Sequence, residues 1–176
     1  MGFGALVVVV VVMNLFAYSR IRSIHDETDR IAADVLPGMY ILGQIQSAAA
    51  ANYGLIHDYL LISDESFRKK VESDWRQNRG QLDELSNAYG PTIRTQQDRD
   101  LFTAMKAQQG KYLQAVDGIV NSGSAALKDS SPARLLQQVD SVRKPYMKSI
   151  EDVVDFNKRD GEGAAQFIQT STRSRG

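Results

Sequence analysis

The chain has no cysteine and only two histidines. The first absence removes disulfide frameworks, thiolate zinc sites, iron–sulfur clusters, c-type haem attachment and cysteine nucleophiles. The second leaves little for a metal centre or a catalytic triad. Neither His25 nor His57 stands three residues after a Glu, the spacing that would turn two di-iron ligands toward one metal. No Gly-rich phosphate loop, zincin motif or nucleophile elbow is present. No catalytic residue, metal ligand or cofactor is therefore expected. An excess of one charge is also lacking. There are 21 basic and 21 acidic side chains, whereas a nucleic-acid partner usually demands a strong basic surplus. Alternating β-branched residues, the mark of a half-buried strand, occur nowhere outside one valine run. What is present is 43% hydrophobic and 24% charged residues over 176 positions, a globular composition with chain enough for one core.

The apolar residues are not spread evenly. From Gly2 to Tyr18 there is no charged side chain, and Leu6 to Val12 is unbroken aliphatic. Helical rise carries this segment ~26 Å, close to the thickness of a bilayer core. A buried core helix fits poorly, because the run is apolar all round rather than on one stripe. A cleaved signal peptide fits poorly too, because no basic stretch precedes the run and Leu15-Phe16-Ala17 is a bulky cleavage site. A membrane anchor over residues 1–18 is the expectation. Arg20 and Arg22 follow the span and no basic residue precedes it. Taken alone, that would place the rest of the chain in the cytoplasm, although the rule is weak for large translocated domains.

Beyond the anchor the apolar period is 3.5 to 3.6. Ile21, Ile24, Thr28, Ile31, Val35, Met39, Leu42, Ile45, Ala49, Tyr53, Ile56 and Leu60 form one stripe. Pro37-Gly38 either breaks this helix or bends it; the register resumes in phase, which favours continuation. Ser63-Asp64-Glu65 reads as a turn and N-cap. A second stripe follows over Phe67, Val71, Trp75, Asn78, Leu82, Leu85 and Tyr89, stopped by Gly90-Pro91. A third runs through Leu101, Met105, Gln108, Tyr112, Ala115 or Val116, and Ile119 to a loop-like Asn121–Ser124. Ser131-Pro132 opens a fourth, with Leu135, Val139, Val142, Tyr146, Ile150 and Val153. The spacing predicts helices over 19–62, 64–89, 93–121 and 131–168, with 170–176 a frayed tail. Short connections make antiparallel neighbours. The fold expected is all-α: an up-down-up-down four-helix bundle whose first helix continues an N-terminal transmembrane helix. Asn78, Gln108 and Gln138 fall on the seam, where buried amides fix register at a cost in stability.

Within the first helix stands Leu36-Pro37-Gly38-Met39-Tyr40-Ile41-Leu42-Gly43-Gln44-Ile45, followed by Ala48–Ala51 and a Tyr59-Leu60-Leu61 end. This arrangement resembles the four-helix-bundle sensor domain of bacterial methyl-accepting chemotaxis proteins, over nearly the whole chain. The resemblance implies a homodimeric sensor in the periplasm, held in the inner membrane, that binds a small organic acid or amino acid. It implies that occupancy is passed on by displacement of the fourth helix. It also implies a second span, a linker domain and a cytoplasmic signalling hairpin. None of these lies within the 176 residues, so the chain is expected to be an input module. The same bundle could serve a sensor histidine kinase or a cyclic-dinucleotide enzyme, or be a structural tethered bundle without a ligand.

The resemblance puts the ligand in the membrane-distal half, against the end of the first long helix and the start of the fourth. That region includes Asn52, Tyr53, His57 and Tyr59, then Arg134, Gln137, Gln138 and Arg143, with Tyr112 at similar height. Arg offers a planar fork for a carboxylate, and Tyr and Gln add neutral hydrogen bonds. A carboxylate is the ligand class expected. Each residue also has a plainer reading. Tyr53 continues an apolar stripe, His57 can be a surface histidine, and Arg143-Lys144 can be a solvated face. Arg134 sits in a first helical turn, an unfavourable place for a cation. The run Arg68-Lys69-Lys70 reads as an exposed salt-bridged face. Ala48–Ala51 either lets a second copy approach along the first helix or simply reflects helix propensity.

Overall fold

The computed structural model describes residues 2–173. Its elements are α1 (Gly2–Arg30), a π-helical turn (Ile31–Val35), α2 (Leu36–Leu61), α3 (Glu65–Tyr89), a 3₁₀ turn (Gly90–Thr92), α4 (Gln96–Ser122), α5 (Ser124–Asp129) and α6 (Pro132–Arg173). No strand occurs among the described residues. Helices α2, α3, α4 and α6 form the four-helix bundle. Helix α2 packs on α3 and α6, α6 packs on α4, and α4 closes the ring more loosely on α3.

The chain runs without a break from α1 into α2, and the π turn shows how. Pro37 has no N–H for the carbonyl four residues back, and its ring collides with that carbonyl in a regular helix. One wider turn relieves both, and the Leu36 N–H reaches back five residues to the Ile31 carbonyl. Such π turns are single-turn insertions in α-helices. Helix α1 is long and apolar enough to cross a membrane, and its most apolar window packs against nothing.

The helix ends follow local chemistry. The Asp64 carboxylate accepts the Phe67 N–H at 2.7 Å and starts α3. Thr95 Oγ1 accepts the Asp98 N–H at 3.1 Å and starts α4. That cap, with the 3₁₀ turn at Pro91 before it, delays α4 beyond the expected residue 93. The loop expected after residue 121 contains the short α5, begun by Gly123 at φ +54°. Helix α6 continues to Arg173, through residues expected to fray. It packs against α1 there, which buries Ala164 and half-buries Ile168. Residues 174–176 of the expected tail lie outside the described residues.

The apolar stripes meet in one core: Leu42, Ile45, Ile56, Val71, Trp75, Leu82, Met105, Val116, Val139, Ile150 and Val153 are among its buried members. Burial of this kind contributes about 25 cal/mol per Å² of apolar area. The seam amides differ from those expected. Gln138 is exposed, and Asn78 and Gln108 are only half-buried. The buried amides are Asn52, Gln109 and Asn157. Gln109 adjoins Gln108, so a stripe read to within one residue picks the wrong side chain of the pair.

Candidate functional site

Three aromatic contacts define one level of the distal half. The Arg143 guanidinium lies over the Tyr53 ring, 4.1 Å from its centroid, joining α6 to α2. Tyr112 of α4 stacks on Tyr146 of α6, centroids 5.6 Å apart. Trp75 of α3 meets Tyr112 edge-on at 6.2 Å. All four bundle helices therefore contribute. Asn52 is beside Tyr53 in sequence but on the inner face, fully buried. Gln109, one turn before Tyr112, is buried as well, and its carbonyl accepts the Ser86 hydroxyl at 3.4 Å.

This layer is polar without being satisfied. Asn52 Nδ2 and Oδ1, Gln109 Nε2, and the hydroxyls of Tyr112 and Tyr146 have no hydrogen-bond partner among the described residues. A buried polar atom left unpaired costs about 1–3 kcal/mol, and native cores keep very few. Burial pushes the Tyr112 phenol well above its ordinary range, while the nearby Arg143 charge pulls it back and Tyr53 raises it slightly. Burial pushes Tyr146 up likewise, aided by Tyr112 and Asp83. Both hydroxyls therefore stay protonated, able to donate as well as accept.

Arg143 stands at the rim. Its side chain is 26% exposed, and Nε donates to Asp140 Oδ1 at 3.0 Å. The two terminal nitrogens donate to nothing among the described residues. Asp140 and the Tyr53 face thus hold the guanidinium plane while its outer edge stays available. Such an edge takes a carboxylate through two parallel N–H donors.

Of the residues expected in the site, Asn52, Tyr53, Tyr112 and Arg143 converge here. His57, Arg134, Gln137 and Gln138 do not: all four are exposed. The Arg134 backbone N–H approaches Ser131 Oγ at 3.4 Å, as the cap of α6 requires. Tyr59 is buried nearer the tip, its hydroxyl 3.5 Å from the Val120 carbonyl. Sequence reasoning missed Gln109, Tyr146 and Asp140. Tyr146 was legible only as a stripe residue, and Asp140 only as the acid three residues before Arg143.

A second polar cluster lies at the end of the bundle nearest the apolar helix. The Tyr89 hydroxyl donates to Asp98 Oδ1 at 2.8 Å and accepts from Asn157 Nδ2 at 2.7 Å. Asn157 also donates to the Val153 carbonyl at 2.9 Å. Arg94 binds Asp34 with two bonds of 2.9 Å, and Arg30 joins Glu27 and Asp160. These contacts clamp α6 to α1, α3 and α4. Among the described residues no group of acids and histidines is suited to a metal ion.

The class is thus defined: a four-helix bundle continuous with an apolar helix. The family model for a four helix bundle sensory module for signal transduction matches residues 1–172, and the chain belongs to that family. This is a signalling family, not a catalytic one. No curated protein matches the chain.

Proposed function

We propose that this chain is the input module of a chemoreceptor and binds a small carboxylate at Arg143. The observation that carries this reading is the unpaired polar layer of Asn52, Gln109, Tyr112 and Tyr146, together with the free edge of the Arg143 guanidinium that lies over Tyr53. The carboxylate sits on the Arg143 fork, and its neutral polar groups meet the Tyr and amide side chains. His57, Arg134 and Gln138 are not part of the site.

In this reading residues 2–18 span the inner membrane and the bundle stands in the periplasm. Two copies pair along α2, where Gly43, Ser47 and Ala51 line an open groove of about 600 Å³. Ala49 faces the core and Ala48 is buried at the floor of the groove, so only half of the alanine stretch is exposed to a partner. Helix α6 carries the signal. Equal rises from the Arg30–Asp160 pair bring Arg173 level with Ala17, at the edge of the apolar run. A ligand that favours one position of α6 shifts the population toward it, with a coupling of about 1–3 kcal/mol.

Thermal unfolding of the detergent-solubilised chain against succinate, citrate, benzoate and L-aspartate tests the site. An acid at a hundred times its Kd adds about 2.7 kcal/mol. Arg143→Ala should weaken that acid about tenfold, and Arg134→Ala should leave it unchanged. Silence across the panel, or equal binding by the Arg143→Ala variant, sinks the assignment.

A further inference from the structure

The tip of the bundle holds a separate cleft of about 310 Å³, at the lower end of the range for small-molecule sites. It forms where the end of α2 and the first turns of α3 meet Gly123 at the end of α4. Gly123 leaves open space where a side chain would begin. Tyr59, Arg68 and Glu72 line it, together with Glu65 and Lys69.

The two charges are kept apart. Arg68 and Glu72 are one helical turn from each other, the spacing at which opposite charges usually pair. Their neighbours Glu65 and Lys69 do so, at 3.4 Å. Arg68 and Glu72 do not come within ion-pair distance of each other or of any other charged partner among the described residues. The reason is visible in the geometry. Arg68 Nε is drawn away to the Ile62 carbonyl at 2.9 Å, one of the carbonyls that the end of α2 leaves unpaired. That bond fixes the guanidinium plane and leaves the terminal nitrogens without partners. Glu72 and Arg68 both act on the Tyr59 hydroxyl, the first raising and the second lowering its pKa, behind the larger effect of burial. The two charges therefore lie near one buried phenol without neutralising each other.

We propose that this cleft binds a small zwitterion, its carboxylate on the Arg68 terminal nitrogens and its ammonium on Glu72. The site is independent of Arg143. A zwitterion satisfies both charges at once, whereas a simple acid or amine leaves one of them beside its own neutralised partner.

Isothermal titration of the full chain in nanodiscs, with glycine, 4-aminobutyrate and 5-aminovalerate as probes, tests this and reads the charge separation. Acetate and ethylamine serve as single-charge controls. At least one zwitterion should bind ten times more tightly than either control. Glu72→Gln, which removes the charge and keeps the size of the side chain, should weaken it at least tenfold. Arg68→Gln should do the same, and Arg143→Ala should change nothing. Binding no tighter than acetate, or binding unaffected by Glu72→Gln, overturns the proposal. So does loss of binding with Arg143→Ala, which would assign the zwitterion to the other site.

Discussion

The bundle buries tyrosines and amides at two levels and treats them in opposite ways. At the proximal level Tyr89, Asp98 and Asn157 bond to one another at 2.7–2.8 Å. At the distal level Tyr112, Tyr146, Asn52 and Gln109 leave five polar atoms unpaired. The same residue types thus perform different tasks. A satisfied network rigidifies and specifies one packing, which suits the end where α6 must stay registered against α1, α3 and α4. An unsatisfied layer is a reservoir of free energy that a polar ligand can draw on, and it lies at the end away from the apolar helix. The bundle is thereby latched at the end nearest the apolar helix, while the buried layer at the other end keeps its polar atoms unpaired.

Removing the same atom at both levels gives the largest contrast. Tyr89→Phe strips the donor from a buried carboxylate and the acceptor from Asn157. Orphaned buried groups cost about 1–3 kcal/mol, more when charged, so a loss of about 3 kcal/mol in urea unfolding is expected. Tyr146→Phe and Tyr112→Phe remove hydroxyls with no partner. They should leave stability unchanged or raise it by up to about 1 kcal/mol, because the desolvation cost goes with the oxygen. Equal losses at both levels would erase the comparison.

This distinction was invisible in the sequence. The four stripes and the Asp64 cap could be read from spacing, because each depends on neighbours within one or two turns. The helix through Pro37 was legible from its register, but the π turn that makes it possible was not. Whether Tyr89 or Tyr146 finds a partner depends on residues 9 and 68 positions away in the first case, and on no local signal in the second. Arg143 and Arg134 looked alike as site cations. Only the crossing of α6 with α2 puts one over Tyr53 and leaves the other in solvent.

A smaller effect follows from pH. Burial holds the Asp98 carboxyl above its ordinary range, although the Tyr89 and Asn157 bonds oppose the shift. The folded state therefore keeps the Asp98 proton more strongly than the unfolded chain does. Its contribution is fully present below the unfolded pKa and is lost as pH rises through the folded value. Asp98→Asn removes that dependence. The stability of the native protein relative to Asp98→Asn should rise as pH falls from 7 to 4, by denaturant titration at each pH. A difference that stays flat across that range would break the contrast.

The smallest effect concerns how tightly the proximal end closes. Gly161 and Gly163 share one turn of α6, and replacing glycine by alanine within a helix usually gains up to about 1 kcal/mol. At Gly163 a new Cβ meets nothing, whereas at Gly161 it lies 3.0 Å from Val35 Cγ1. Val35 ends the π turn that carries the chain past Pro37, and it is buried, so it has little room to yield. Gly163→Ala should therefore stabilise, and Gly161→Ala should fall short of it by about 1 kcal/mol. Adding Val35→Ala clears the contact but also removes buried methyl groups, so absolute stability is a poor readout for the pair. The informative quantity is the coupling in a double-mutant cycle, where Gly161→Ala should be better tolerated in the Val35→Ala background than with Val35 in place. Zero coupling would mean that α6 and the π turn do not press on each other, and that the latch rests on the Tyr89, Arg30 and Arg94 contacts alone.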